Sequence, residues 1–338
     1  MVQKICTQVP SEKEDNIYKI KYFNSNKLRA AFFKSKLWDD NKIIKVKFLQ
    51  NPSRNLIYTK ENSILDANSD PDPLQDEFWE AREKDDWKSS DYKDWIKRIV
   101  QERIEPIINI KFNWVGENDD ADIHIAFDPT QGCWSYVGKD ALKYNKNDVT
   151  MNFAWFDIAT VIHEFGHSIG MVHEHQNPRG EKIEWNVPAL DKYMADTQGW
   201  DKETTKNNII NKYNINQISG SQFDPLSIML YFYPDDLTTN GEGTKINLRL
   251  SGLDVKWLWK TYKPDNINED DLNTIYESWY NESIDENINK SSKLAKEMDS
   301  DSNTIPTQTI IIIILGFIII IVFTVGLYFL VKKLRKKL

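Results

Sequence analysis

The sequence predicts an α+β fold followed by one C-terminal transmembrane helix, and three patterns predict it. Short stretches of strand character recur at residues 42–49, 110–115, 121–128 and 149–155. Between the first and second of these, residues 87–108 carry apolar side chains at helical spacing. Near the end of the chain, residues 310–331 form an uncharged, mostly apolar run. As a helix that run is about 33 Å long, enough to span the hydrocarbon core of a bilayer.

Taken in order, residues 1–27 are polar and charged and predict a loose arm. K-I-I-K-V-K-F-L at 42–49 is the first strand, and residues 51–73 are turn-rich, a surface excursion. The helix over 87–108 is read from Trp87, Trp95, Ile96, Ile99, Val100, Ile104, Ile107 and Ile108, and Pro106 ends or kinks it. In 121–128, Ile123, Ile125 and Phe127 alternate with Asp122, His124 and Asp128. That places His124 on a solvated face, as a strand histidine and not a ligand. Phe156 begins a second helix, and beyond Pro178 the chain reads as irregular with helical patches. Leu250, Ser251, Gly252, Leu253 and Asp254 open a closing helix to Tyr262, with Ser251 as N-cap and Asp254 in the first turn. Residues 263–309 are rich in Asn, Asp, Glu, Ser and Lys and predict a solvated stalk, with helical character near 275–280. Residues 332–338 are a basic tip.

Composition narrows the function classes. Apolar residues make up 40% of the chain and there are 12 tryptophans, ample for a sizeable core. The net charge is −8, and the five basic residues after Val331 mask part of the acidity of the rest. Such a body does not suit nucleic acid. Two cysteines, Cys6 and Cys133, make no disulfide framework, and each is expected as a free thiol. The N-terminus shows no apolar run of signal-peptide length.

The chemistry concentrates in residues 161–178, V-I-H-E-F-G-H-S-I-G-M-V-H-E-H-Q-N-P, which hold four of the five histidines. His163 and His167 are four apart, on one helix face and one turn from each other. Two imidazoles so placed can grip one metal ion. Glu164 sits about 100° around the helix, beside the ion, where it can take a proton from water. His173, six residues past His167, would lie about 9 Å further along an unbroken helix. It can join the same ion only if the helix stops between them, and Gly170 is placed to stop it. Three neutral imidazoles leave a fourth position open on tetrahedral zinc, the arrangement of a catalytic site. An amphipathic helix that happens to carry histidines explains a bare H-E-x-x-H, but not five fixed positions in eleven residues.

The pattern H-E-x-x-H-x-x-G-x-x-H resembles the signature of the metzincin metalloproteases. That signature has a methionine turn downstream, matched by F-D-P-L-S-I-M-L-Y at residues 223–231. Within the metzincins the chain is similar to the astacins, over residues 28–262. The resemblance implies a metzincin fold: a twisted, mainly parallel sheet with two long helices over an irregular C-terminal subdomain. It implies one Zn2+ per chain on His163, His167 and His173, with Met229 as an apolar floor beneath it. Tyr231 matches the tyrosine that astacin-like enzymes place at the zinc, where its hydroxyl can stabilise an oxyanion. Trp134, Ser135, Tyr136 and Val137 resemble the edge strand above the astacin cleft, which holds a peptide substrate as an added strand. Astacins bond a cysteine there to one further on, and no cysteine follows Cys133. They also have a glutamate after the third histidine, as Glu174 is here, seating the trimmed N-terminus; no maturation site in this chain carries that role over. His175 is expected as a supporting or surface residue and not a ligand.

These readings imply a zinc-dependent endopeptidase hydrolysing peptide bonds through a zinc-activated water. Its partners would be a protein or peptide substrate, membrane lipid around residues 310–331, and no nucleic acid. The alternative is a catalytically silent, zinc-stabilised, membrane-anchored recognition protein, against which Glu164 argues, since a structural site has no use for that carboxylate. With no leader and only seven residues after the span, the expected topology is a tail anchor with the catalytic domain facing the cytosol.

Overall fold

A computed structural model describes residues 7–8, 31–49, 72–82, 89–179, 183–220, 223–286, 289–290 and 293. The chain divides into two units, 1–295 and 296–338, and the second lies outside the described residues. The apolar run at 310–331, expected from the sequence to span a membrane, and the basic tip therefore lie outside them as well. Among the described residues no helix is long and apolar enough to cross a membrane.

The first unit is built on a six-stranded sheet. In chain order its strands are β1 (Thr7–Gln8), β3 (Ile43–Phe48), β4 (Lys111–Trp114), β5 (Ile123–Ala126), β6 (Trp134–Ser135) and β7 (Met151–Asn152). Their spatial order is β1-β6-β7-β5-β3-β4. Only β6 and β7 pair antiparallel; the other neighbours are parallel. A separate antiparallel pair joins β2 (Phe32–Phe33) to β8 (Ile218–Ser219). The mainly parallel α+β architecture expected from the sequence is the one observed.

Two long helices pack in the core with the sheet. A shorter helix, α1 (Leu74–Arg82), precedes the first of them, α2 (Ser89–Arg103), which buries Ile96, Ile99 and Val100. Each such side chain contributes about 1.5–3 kcal/mol by leaving water. Pro106 has no N–H to give and lies in the 3-10 turn Glu105–Ile107 that follows, so the α-helix ends earlier than the periodicity suggests. The second, α3 (Ile158–Ser168), is buried along its whole length. Its Phe165 meets Phe112 of β4 edge-on, with ring centroids 5.4 Å apart. Asp157 caps it, accepting from the Thr160 N–H at 2.8 Å. Further on, α4 (Val187–Gln198) and the one-turn α5 (Lys202–Thr205) are the helical patches expected after Pro178. The expected closing helix is α6 (Gly252–Thr261), capped by Ser251.

Two expectations need correction. His124 is not solvated: it is 2% exposed, with ring nitrogens 2.9 Å from the carbonyl oxygens of Asp148 and Ala121. Its strand lies inside the sheet between β3 and β7 and all four of its residues are buried, so both faces are covered and alternation no longer marks a wet side. It is a hydrogen-bonded histidine and not part of the three-histidine group. The polar stretch after Tyr262 is not a solvated stalk throughout. Helix α7 (Glu269–Tyr280), capped by Asn268, buries Leu272, Tyr276 and Tyr280 against the main core. Those three recur every four residues, an apolar stripe hidden by the polar composition around it. Tyr280 donates to Asp72, whose carboxylate also takes two hydrogen bonds from Arg103, tying α7 to α2.

Candidate functional site

The site is made where α3 stops. Gly170 has φ +100°, and the turn is closed by two bonds: Gly170 N–H to His167 C=O at 2.8 Å and Met171 N–H to Gly166 C=O at 2.9 Å. A Cβ on Gly170 would come 2.7 Å from Leu37 Cδ2, so that methyl would have to shift, and the positive φ itself strains any residue but glycine. The reversal brings His173 back over the helix. His163, His167 and His173 are all buried, and their ligand atoms lie within 4.8 Å of one another.

Backbone carbonyls set the tautomers. His163 Nδ1 is 2.8 Å from Ile228 O, and His167 Nδ1 is 2.9 Å from Met171 O. A carbonyl can only accept, so both Nδ1 atoms carry hydrogen and both Nε2 lone pairs face the shared volume. The Nε2 atoms of His167 and His173 are 3.0 Å apart, and His163 Nε2 has no protein hydrogen-bond partner among the described residues. Lone pairs converging in a buried volume repel unless a proton or a cation lies among them. Burial keeps the imidazoles neutral, pushing His163 down to about 4 and His167 and His173 well below their usual value. Three neutral nitrogens, two of them with fixed partners on the far side of the ring, are a donor set that fits Zn2+.

The methionine turn lies under this group. Gly166 lets Met229 pack directly on α3: a Cβ there would meet Met229 Sδ at 3.0 Å and Met171 Sδ at 3.3 Å. Met229 is buried, as the floor assignment requires. Helix α6 holds the turn from behind. Asp254 accepts from the Ile228 N–H and from the Ser227 hydroxyl, both at 2.8 Å, and Ser251 Oγ donates to Asp224 at 2.6 Å. Glu174 accepts from the Asp224 N–H at 3.0 Å and from Asn177 Nδ2 at 2.9 Å. Burial, with the neighbouring Asp224 charge, raises the carboxyls of Glu174 and Asp254, the latter to about 7.

Glu164, fully buried, follows His163 on α3. The Tyr231 ring lies beside two of the ligands: its centroid is 4.2 Å from that of His173 and 5.7 Å from that of His163. Trp134 and Ser135 form β6, while Tyr136 and Val137 lie just beyond it, with the Tyr136 N–H donating to Thr150 O at 3.0 Å. All four are buried. The outer side of β6 is not open, because Thr7 and Gln8 pair alongside Trp134 and Ser135 in parallel. Cys133 is buried, its sulfur accepting from the Ala154 N–H at 3.3 Å. Cys6 lies outside the described residues.

Sequence reasoning placed the ligands and missed their supports. Asp254 was legible only as a first-turn acid of α6, and Asp224 only as part of the methionine-turn string. His175 turns out fully buried, not on the surface.

A family model for Astacin, a peptidase family, matches residues 87–244. Myroilysin superposes with a TM-score of 0.55 at 29% sequence identity, over 70% of this chain and 99% of that one. Blastula protease 10 of Paracentrotus lividus is 34% identical over 76 residues, which are 22% of this chain and 12% of that protein's length. With the three-histidine group, the methionine turn and the parallel sheet, these matches make the chain similar to the astacin zinc metalloproteases over residues 87–244.

Proposed function

We propose that the chain is an endopeptidase that hydrolyses peptide bonds at the three-histidine site. The observation that carries this is the convergence of three buried Nε2 atoms, two with tautomers locked by carbonyls, with Glu164 on the same helix. Zinc held there would supply Lewis-acid charge that acidifies a water and polarises a carbonyl. Glu164 takes the proton of the attacking water and passes it to the departing amine. Tyr231 donates its hydroxyl to the developing oxyanion of the scissile carbonyl. Met229 and Gly166 keep the floor apolar, and Ile228 and Met171 hold His163 and His167 at fixed orientation.

An extended peptide would add to the outer side of β6, where the chain's own β1 now pairs. The apolar run at 310–331 supports a C-terminal membrane anchor, and the side proposed for the catalytic unit is the cytosol. Vesicles bearing the protein would be treated with external protease; loss of the catalytic unit without detergent is expected, and its protection would reverse the topology.

The test of the activity is Glu164→Gln. It keeps shape and zinc but removes the base, and cleavage of an unstructured protein substrate should fall at least about a hundredfold. Undiminished cleavage with zinc retained would remove Glu164 from the chemistry. A parent protein that holds zinc and cleaves nothing would favour the recognition-protein alternative.

A further inference from the structure

His175 lies two residues past the third ligand, is fully buried, and is not one of the converging ligands. Its ring is near-parallel to that of Tyr231, centroids 5.1 Å apart and planes 29° off. It also lies 20° from the plane of His173 at 5.2 Å. Tyr233 meets it edge-on at 5.5 Å, and Trp185 meets Tyr233 edge-on at 4.7 Å. The histidine is thus part of a wall of rings behind Tyr231.

That wall is anchored by an unusual turn. Helix α5 runs into a π-helical turn, Lys206–Ile210, closed by Asn211 N–H on Lys206 O at 2.8 Å. π-turns are rare and concentrate at functional sites. The final carbonyls of a helix have no donor within it. Here they are taken by the segment that follows His173. His175 Nε2 donates to Asn208 O at 3.0 Å, and Gln176 Nε2 donates to Asn207 O and Asn211 O at 2.9 Å each. Lys212 Nζ returns a bond to His175 O at 2.8 Å. The Asn208 carbonyl fixes which ring nitrogen of His175 carries hydrogen and the plane in which the ring lies. A hydrocarbon ring could fill the space but could not be oriented by that carbonyl.

We propose that His175 is a positioning residue for Tyr231: anchored on the π-turn, its ring sets the plane and depth at which the phenol reaches the three-histidine site. The proposal rests on the oxyanion role given to Tyr231 above for its effect on rate, but not for its effect on the ring. His175 makes no contact with substrate in this scheme and does not ligate the metal.

Two substitutions separate its parts. His175→Ala removes the wall; His175→Phe keeps a ring and removes the anchor. The first readout is the fluorine NMR signal of Tyr231 in protein labelled with 3-fluorotyrosine, assigned by its disappearance in Tyr231→Phe. In zinc-free and zinc-loaded protein, both variants should shift or broaden that signal. A signal unchanged in both overturns the proposal. The second readout is a double-mutant cycle. His175→Ala should lower kcat about tenfold or more, within the range carried by one oxyanion donor, with KM little changed. In the Tyr231→Phe background it should cost nothing further. An equal loss in both backgrounds makes His175 a general structural residue and overturns the proposal. If Tyr231→Phe alone leaves kcat unchanged, the oxyanion reading is what fails, and the fluorine signal alone decides His175. If His175→Ala does not fold, His175→Phe carries both readouts, with a smaller loss of kcat.

Discussion

Asp254 Oδ2 accepts the Ile228 N–H at 2.8 Å, and the carbonyl of Ile228 accepts His163 Nδ1 at 2.8 Å. One residue of the methionine turn therefore joins a carboxylate at the N-terminus of α6 to a metal-binding imidazole. Position and charge at Asp254 reach the site through that residue.

This link has a pH signature. Burial first, and the Asp224 charge second, push the Asp254 carboxyl up to about 7, against the bonds from Ile228, Ser251 and Ser227. In the unfolded chain an aspartate titrates near about 3.9. Between roughly pH 4 and pH 7 the native protein holds a proton that the unfolded chain has released, so stability falls as pH rises through that window. Asp254→Asn is neutral at every pH. Relative to the parent, its unfolding free energy should rise between about pH 4 and about pH 7. Urea unfolding at equal zinc concentration measures this, and a difference that is flat or falls with pH contradicts it.

Gly170→Ala should damage fold and metal binding together. The left-handed conformation costs a residue with a Cβ about 1–2 kcal/mol, and the 2.7 Å approach to Leu37 adds to that. Repair by turning the backbone would move Met171 O away from His167 Nδ1. The expected result is a lower urea midpoint and weaker zinc retention against a chelator. A variant with lowered stability and undiminished zinc affinity would uncouple the turn from the ligand.

The three ligands should behave as one site. His163→Ala and His167→Ala each remove one of the three donors and leave the other nitrogens buried without a cation. Elemental analysis should show one zinc per chain in the parent and a large loss in both variants. Full zinc occupancy in either would move the site elsewhere.

How much of this was legible in the sequence depends on range. Ligand spacing is local: four residues on a helix place His163 and His167, and a glycine three past His167 signals the stop. Alternation in residues 121–128 gave the strand but misplaced His124, because whether a strand is covered on both faces is decided by neighbours distant in sequence. The helical character expected near 275–280 lies in α7, but composition hid its burial, since a three-residue stripe is diluted by the Asn, Asp and Glu around it. The supports of the site were the least visible. Asp254, Glu174 and His175 act through backbone groups at Ile228, Asp224 and Asn208, and a sequence shows no backbone partners.

The pairing of Thr7–Gln8 with Trp134–Ser135 makes the last prediction. If a substrate adds to the outer side of β6, it must use the backbone groups that β1 now occupies. Each hydrogen bond of such a short pairing is worth about 0.5–1.5 kcal/mol net. The double substitution Thr7→Pro, Gln8→Pro removes both N–H groups of β1 without touching the metal site. Competition at the edge then weakens, and KM for an unstructured peptide should fall about fivefold or more, a change within reach of one or two such bonds, with kcat and zinc content unchanged. Steady-state kinetics on parent and variant read this directly. A KM that does not move, with β1 shown to be released by its exposure to proteolysis, would take the substrate away from Trp134 and Ser135.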